Sequence, residues 1–151
     1  MTVPIIIGFY GYSNTGKTNL IKNIIIYFSK QKINVASIKQ TTHSYSIDSP
    51  GKDTWEYAKA GAKLTSFQTE VETSFIVKKR LSIKDIIKII LETESIDLIL
   101  VEGARDTQIQ KIRMDMDTPL RKNTIFTFDG DVYKVISFIE EKLKKGSRHY
   151  E

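Results

Sequence analysis

The first 40 residues show a change of hydrophobic periodicity that is typical of a β-α-β unit. Ile5–Tyr10 is a short apolar run closed by glycine, which predicts a buried strand. In Asn19–Lys30 the apolar residues recur every three or four positions and share one helical face, and Ile33–Ile38 is again apolar and partly β-branched. This order predicts two parallel strands joined by a helical crossover.

The rest of the chain continues to alternate helices and strands. A polar loop is predicted at Thr41–Gly51. After it the pattern predicts a helix at Asp53–Ala60, a hairpin of strands Leu64–Glu70 and Thr73–Lys79, a helix opened by a Ser82–Asp85 capping box, strands at Ile96–Val101 and Thr124–Phe128, and a last helix from Val132 to the lysines before Gly146. This alternation predicts an α/β fold with a mainly parallel sheet and helices on both faces. We expect one domain over 1–146 and a frayed tail at 147–151.

Composition narrows the functional classes. The chain has 151 residues, no cysteine and a formal net charge of +5. Disulfides, zinc thiolate sites and thiol catalysis are excluded, and anionic partners are favoured. Lysines and arginines are dispersed along the chain and not interleaved with aromatics, so nucleic acid is the weakest anionic partner. The sequence shows neither a signal peptide nor an apolar run near the roughly 18 residues of a membrane span, so we expect a cytoplasmic protein with no membrane contact.

The segment GYSNTGKT, Gly11–Thr18, matches the phosphate-loop pattern G-x-x-x-x-G-K-[ST] at every fixed position. It lies between the first predicted strand and the first predicted helix, as the mechanism requires. The glycines let successive N–H groups face one anion, and the helix adds the positive end of its dipole. We expect Lys17 to reach the β- and γ-phosphates and to serve catalysis, and the Thr18 hydroxyl to bind Mg²⁺. The candidate nucleotide-binding residues are Gly11, Ser13, Asn14, Thr15, Gly16, Lys17, Thr18 and Asn19.

A second candidate residue, Glu102, directly follows the predicted strand Ile96–Val101 in the segment DLILVEGA. Ligands of open parallel sheets bind at the carboxyl ends of the strands. A carboxylate there suits a Mg²⁺ ion or a water beside the γ-phosphate, so Glu102 is a candidate metal ligand and catalytic residue. The alternative is that Glu102 only caps the next turn. Together with the phosphate loop, this strand predicts a P-loop NTPase-type three-layer sandwich.

A third group of polar residues follows the second predicted strand. A long polar loop at such a place favours a binding function. Lys39, Thr41 and Lys52 are candidate nucleotide-binding residues, since their cationic or hydroxyl groups suit phosphate. Asp48 is a further candidate metal ligand, and Asp53 a candidate to orient the attacking water. Taken singly, each of these residues is also typical of a solvated loop.

Three segments together resemble the molybdopterin-guanine dinucleotide biosynthesis protein B (MobB) family: GYSNTGKTNL, ASIKQTTHSYSIDSPGKDTWEYAKAGA and DLILVEGA. The middle segment is the most specific, because it follows the family's K-x-T-x-H segment, then an aspartate, P-G-K-D-[ST] and A-G-A. The sequence departs from the family at Gln40 and Thr42, where histidines often stand. The resemblance covers the chain from about residue 5 to residue 104.

The resemblance implies a P-loop protein that binds GTP with Mg²⁺, hydrolyses it weakly and forms a homodimer. It also implies assistance to a MobA-type guanylyltransferase, which attaches GMP to molybdopterin, and it makes molybdopterin a further candidate ligand. The predicted hairpin is a candidate dimer element, because its strands could pair across an edge; alternatively, they complete the sheet of the domain.

The residues themselves leave the choice of base open. The sequence N-K-x-D, with which Ras-like GTPases read guanine, is absent from this chain. Two other classes therefore stay open. One is a small ATP-dependent kinase or synthetase-type ligase on the same fold. The other is a binding adaptor in which GTP has only a structural role.

Overall fold

The structure is a computed structural model that describes residues 3–147. Its elements are β1 (Ile5–Tyr10), α1 (Lys17–Lys30), β2 (Val35–Lys39), α2 (Asp53–Lys59), β3 (Leu64–Gln68), β4 (Thr73–Val77), α3 (Ile83–Thr93), β5 (Leu98–Glu102), β6 (Gln110–Arg113), β7 (Thr124–Thr127) and α4 (Val132–Ser147). The chain divides into two compact units. The first combines the residues up to Thr41 with those from Ile87 onward, and the second is Thr42–Ile86. The tail predicted at 147–151 lies outside the described residues, apart from the helical backbone of Ser147.

The first unit contains a five-stranded sheet of order β2-β5-β1-β6-β7. All neighbouring strands are parallel; Ile5 pairs with Leu98, and Ile7 pairs with Gln110. This confirms the predicted α/β class with a mainly parallel sheet. Because β1 is the central strand, the glycine-rich segment that follows it leaves from the middle of the carboxyl edge of the sheet.

Apolar residues of alternate strand positions pack under α1 and α4 and form the core of this unit. The buried cluster consists of Ile7, Phe9, Leu20, Ile21, Ile24, Phe28, Leu98, Leu100, Ile112, Met114, Val135, Ile136 and Ile139. The intervening residues Tyr10, Ile99 and Val101 point to the opposite face and are also fully buried. Burial on both faces explains why the central strands read as continuous apolar runs and not as alternating ones.

Strand β6 was not predicted, because Gln110–Arg113 reads as polar. Its Lys111 side chain is nevertheless fully buried, and Nζ donates hydrogen bonds to the carbonyl oxygens of Ile109 at 2.7 Å and Lys122 at 3.0 Å. Burial lowers the pKa of Lys111. Pairing with β1 makes this segment a strand, which no local pattern indicated.

Element boundaries differ from the prediction at functionally relevant places. Helix α1 begins at Lys17, two residues earlier than predicted, so Lys17 and Thr18 lie in its first turn. Lys39 and Glu102 are the last residues of β2 and β5, and not the first residues beyond them. The reason is the register, in which Lys39 and Glu102 are paired and extend the ladder past the apolar runs.

The second unit consists mainly of α2 and the hairpin β3–β4. The hairpin is confirmed: β3 and β4 pair antiparallel, with Leu64 opposite Val77, and they form a two-stranded sheet of their own. The Ser82 hydroxyl accepts a hydrogen bond from the Asp85 N–H at 3.1 Å, which confirms the predicted cap of α3. None of the helices in residues 3–147 is long and apolar enough to cross a membrane.

Candidate nucleotide-binding site

The phosphate loop joins the central strand β1 to helix α1. Asn14 and Gly16 both have left-handed backbone conformations, with φ of 63° and 83°. No side chain caps the amino terminus of α1 at Gly16, and its first turn contains no acidic residue. The first N–H groups of this helix are therefore available to an anion, and no carboxylate of that turn competes for them.

The Lys17 side chain folds back onto the beginning of the loop. Its Nζ donates hydrogen bonds to the carbonyl oxygens of Gly11, at 3.0 Å, and of Tyr12. The Thr15 hydroxyl also donates to the Tyr12 carbonyl, at 2.9 Å. The ammonium group is thus held against the loop backbone, where a bound phosphate would find a positive charge.

Thr18, Glu102 and Lys39 come together at the carboxyl edge of the sheet. The Thr18 Oγ1 lies 3.3 Å and 3.4 Å from the two carboxylate oxygens of Glu102. Lys39 Nζ lies 3.8 Å from Glu102 Oε1, and the side chains of Lys39 and Glu102 are 65% and 17% exposed. An ion pair with so exposed a lysine is worth little, so Glu102 can exchange Lys39 for another cation at small cost.

The oxygen donors of this edge fit Mg²⁺. The ion prefers hard oxygen ligands and is usually held by one or two protein side chains together with phosphate oxygens and water. Thr18 and Glu102 supply one hydroxyl and one carboxylate. Within residues 3–147 no group of three or more His, Asp or Glu side chains is placed to hold a metal without such help.

The direction of Glu102 is set by the turn that follows it. Gly103 has a φ of 77°, and a Cβ atom there would lie only 2.3 Å from the carbonyl oxygen of Gln40. The Gly103 N–H donates to the Phe9 carbonyl at 2.8 Å, and the Gln40 N–H donates to the Glu102 carbonyl at 2.9 Å. The backbone on both sides of Glu102 is therefore fixed, which aims the carboxylate at Thr18. Gln40, one of the two departures from the family pattern, contacts this turn through its backbone.

The other sequence-predicted residues lie farther along the chain. Thr41 is half-buried two residues beyond β2. Lys52 and Asp53 are exposed at the start of α2, in the second unit. Within residues 3–147, no hydrogen bond or ion pair joins the side chain of Lys52 or Asp53 to another predicted site residue.

Asp48 has a structural role within the second unit. Its side chain is 2% exposed, its Oδ1 accepts a hydrogen bond from the Thr54 hydroxyl at 2.9 Å, and its Oδ2 lies 3.2 Å from Lys78 Nζ. Burial alone would raise the pKa of Asp48, but the hydrogen bonds from Thr54 and Lys78 outweigh it, and the pKa lies below its ordinary value. Both carboxylate oxygens therefore have protein partners within the second unit.

The structure adds two residues that the sequence prediction missed. The Thr118 hydroxyl accepts a hydrogen bond from the Tyr12 N–H at 3.2 Å and donates to Asp115 Oδ2 at 2.7 Å. Both residues follow β6, so they reach the carboxyl edge beside the phosphate loop. The sequence DMDTP at 115–119 is typical of a turn. Without strand β6, however, the sequence does not indicate where in the fold that turn lies.

Known proteins are similar to this chain over most of its length. Residues 6–139 match the family model of molybdopterin guanine dinucleotide synthesis protein B. The chain is 31% identical over 142 residues to the molybdopterin-guanine dinucleotide biosynthesis adapter protein of Escherichia coli K12, which covers 91% of this chain and 81% of that protein. It is also 31% identical over 120 residues to the Haemophilus influenzae Rd adapter protein of the same name, covering 76% of this chain and 67% of that protein.

A solved structure shows the same fold. The crystal structure of Bacillus subtilis MobB superposes with a TM-score of 0.68 at 21% identity, covering 89% of this chain and 97% of that one. The five-stranded parallel sheet with its helices is thus the fold of P-loop NTPase-like MobB structures, as the sequence predicted. The family match spans the phosphate loop, Glu102 and the segment between them, and the chain belongs to the molybdopterin guanine dinucleotide synthesis protein B family.

Proposed function

We propose that this protein binds GTP with Mg²⁺ in the phosphate loop, hydrolyses it slowly, and acts as an accessory protein in the formation of molybdopterin guanine dinucleotide. The observation that carries the nucleotide-binding part is the meeting of Lys17, Thr18 and Glu102 at the amino terminus of α1. The names of the Escherichia coli and Haemophilus influenzae relatives support the biosynthetic part.

Each of these residues has a separate task in the proposal. Lys17 gives up its carbonyl contacts and neutralises the charge that a triphosphate brings and develops on its β- and γ-phosphates. Thr18 and Glu102 would supply a hydroxyl and a carboxylate oxygen to Mg²⁺. Lys39, released from Glu102, is free to pair with an anion at the same edge. Bound Mg²⁺ would supply neutralisation of the β- and γ-phosphate oxygens.

Calorimetric titration with GTP and with ATP, each with Mg²⁺, tests the nucleotide-binding part. We expect GTP to bind more tightly than ATP. Lys17→Ala should abolish detectable binding, because the loop then faces the triphosphate with no ammonium group. Lys22→Ala is the matched control, since Lys22 is an exposed lysine of the same helix outside the loop, and it should bind as the wild type does.

The outcomes separate the functional classes. Equal binding by Lys17→Ala and wild type contradicts the phosphate-loop assignment. Preference for ATP leaves the loop in place but favours the kinase or ligase alternative, which a steep rise of turnover with a single acceptor substrate would establish. Negligible hydrolysis even with the partner present favours a structural role of GTP.

The partner part of the proposal concerns a MobA-type guanylyltransferase, with molybdopterin as a further candidate ligand. We expect the rate of guanine dinucleotide formation by such an enzyme to rise when this protein and GTP are added. The same addition of Lys17→Ala should give no increase. An equal increase with the variant would mean that the nucleotide site does not serve the partner.

The homodimer part concerns the hairpin β3–β4. Leu64 and Phe75 lie on one of its faces and are 53% and 61% exposed, and Val71 at its turn is 92% exposed. A second copy that covers these apolar residues would remove them from water. Sedimentation of the wild type should give a dimer, and Phe75→Lys should shift it toward monomer; a wild type that sediments only as monomer contradicts this part.

A further inference from the structure

We propose that Thr118, oriented by Asp115, is a positioning residue that holds the phosphate loop in the conformation that receives the nucleotide. The inference rests on the proposed nucleotide-binding function and deepens it. Both residues lie outside the glycine-rich segment and follow β6, a strand that neighbours β1. Thr118 hydrogen-bonds to Tyr12, near the start of the loop, and Asp115 holds Thr118.

The peptide groups of Tyr12 are held on both sides. The N–H of Tyr12 donates to Thr118 Oγ1 at 3.2 Å. The carbonyl oxygen of Tyr12 accepts hydrogen bonds from Lys17 Nζ and from the Thr15 hydroxyl. Tyr12 is itself 57% exposed, so its position depends on these hydrogen bonds and not on burial of its side chain.

The segment that carries Thr118 packs closely against the start of the loop. A Cβ atom at Gly11 would lie 2.9 Å from the Met114 Cβ and 3.0 Å from Asp115 Oδ2. The Met114 N–H donates to the Tyr10 carbonyl at 2.9 Å, which continues the parallel ladder to the last residue before the loop. The two segments are therefore in register at the point where Thr118 meets Tyr12.

Asp115 fixes the direction of the Thr118 hydroxyl. Asp115 Oδ1 accepts the N–H groups of Asp117 at 3.0 Å and Thr118 at 2.7 Å, and Oδ2 accepts the Thr118 hydroxyl proton at 2.7 Å. The hydroxyl proton is thus used, and a lone pair is left for the Tyr12 N–H. The hydrogen bond from the Thr118 side chain also lowers the pKa of Asp115. Thr118 is 4% exposed, which leaves little room for water to replace the hydroxyl.

This arrangement orders the loop before the nucleotide arrives. If the Tyr12 N–H lost its hydrogen-bond partner, the loop would sample more conformations. Only the fraction in the conformation that binds nucleotide would then be available to the ligand. The expected effect is weaker nucleotide binding with no change in the residues that touch the phosphates. A loss of about tenfold in affinity is expected for one such hydrogen bond, equivalent to about 1.4 kcal/mol.

The experiment compares the dissociation constant of Mg²⁺·GTP for the wild type and three variants. Thr118→Val keeps the shape of the side chain and removes the hydroxyl; it should weaken binding about tenfold. Thr118→Ser keeps the hydroxyl and should bind within about twofold of the wild type. Thr93→Val is the control, since it removes a hydroxyl that donates to the Ile89 carbonyl within α3 at 2.8 Å; it should bind normally.

Backbone amide exchange gives a second readout. The Tyr12 amide should exchange at least tenfold more slowly than an unstructured Tyr amide, and Thr118→Val should remove this protection. If Thr118→Val does not fold, Asp115→Asn replaces it and should show the same two effects more weakly. Normal binding by Thr118→Val, or an unprotected Tyr12 amide in the wild type, overturns the inference. A wild type that binds neither GTP nor ATP instead contradicts the proposed function, whereas the amide exchange still reports on Thr118.

Discussion

Gly103→Ala is the substitution for which the structure predicts the most specific cost. A new Cβ at Gly103 would lie 2.3 Å from the carbonyl oxygen of Gln40, a backbone atom, and φ is 77°. The left-handed conformation costs about 1–2 kcal/mol for a residue with a side chain, and displacement of the packed backbone adds about 1–3 kcal/mol. Alanine recovers about 0.4–1 kcal/mol because it restricts the unfolded chain. The free energy of unfolding should therefore fall by about 1–5 kcal/mol, with the middle of the range at ~3 kcal/mol.

Gly130→Ala provides the matched control, because Gly130 also has a positive φ, of 97°, but a Cβ there would meet no atom within 4 Å. Its free energy of unfolding should fall by only about 1 kcal/mol, the conformational part of the cost. Urea denaturation followed by circular dichroism measures both values. Fluorescence is less suitable, since the sole tryptophan, Trp55, lies in the second unit while both glycines lie in the first.

Nucleotide binding gives the same comparison a functional readout. The backbone shift in Gly103→Ala should move the Glu102 carboxylate away from Thr18, so the gain in GTP affinity on adding Mg²⁺ should shrink. In Gly130→Ala the gain should equal that of the wild type. Equal losses of stability in the two variants would refute the steric reasoning, because they share the conformational cost and differ only in the contact with Gln40.

Three further predictions concern buried polar groups. Asp48→Asn should lower the denaturation midpoint at pH 7, which Trp55 fluorescence measures. The native pKa of Asp48 lies below its ordinary value, so the carboxylate stabilises the fold fully above the unfolded pKa, and this stabilisation is lost as the pH falls through the native pKa. The midpoints of the variant and the wild type should therefore converge in acid. Tyr10→Phe should lower the free energy of unfolding by about 1–3 kcal/mol, since the fully buried Tyr10 hydroxyl accepts the Arg121 N–H at 3.0 Å; urea denaturation measures it. The pKa of Lys111 is lowered in the native state, so between the native and the unfolded pKa the unfolded chain binds more protons than the native one. The free energy of unfolding of the wild type should therefore rise with pH across that interval because of this residue. Lys111→Met should lack this rise when denaturation at pH 8 is compared with denaturation at pH 10.

Each of these predictions has a result that contradicts it. An Asp48→Asn midpoint that stays equally far below that of the wild type at every pH would mean that the ionised carboxylate is not the stabilising group. Unchanged stability of Tyr10→Phe would mean that the hydroxyl contributes nothing beyond its ring. A Lys111→Met variant with the same pH dependence as the wild type would assign the alkaline gain to other residues.

The sequence by itself determined the segment from β1 to the first turn of α1. The strand, the glycine-rich loop and the helix are consecutive in the chain, so their identity depends on local periodicity and on fixed spacings that a reader of the sequence can see. Glu102 could be predicted for a related reason, because a residue that ends a parallel strand must reach the carboxyl edge. The family pattern between Lys39 and Asp53 was likewise a matter of order along the chain.

Only the tertiary structure decided the role of β6 and of the polar residues around it. Lys111 and Arg113 are typical of surface residues in the sequence, but pairing with β1 buries them. Backbone carbonyls and a threonine hydroxyl accept hydrogen bonds from their side chains. Asp48 is a candidate metal ligand in the sequence, and its ion pair with Lys78, thirty residues later, is visible only in the structure. Thr118 contacts Tyr12 across 106 positions of sequence. Such partners are set by chain topology, since a hydrogen bond between distant residues leaves no periodic trace in either segment.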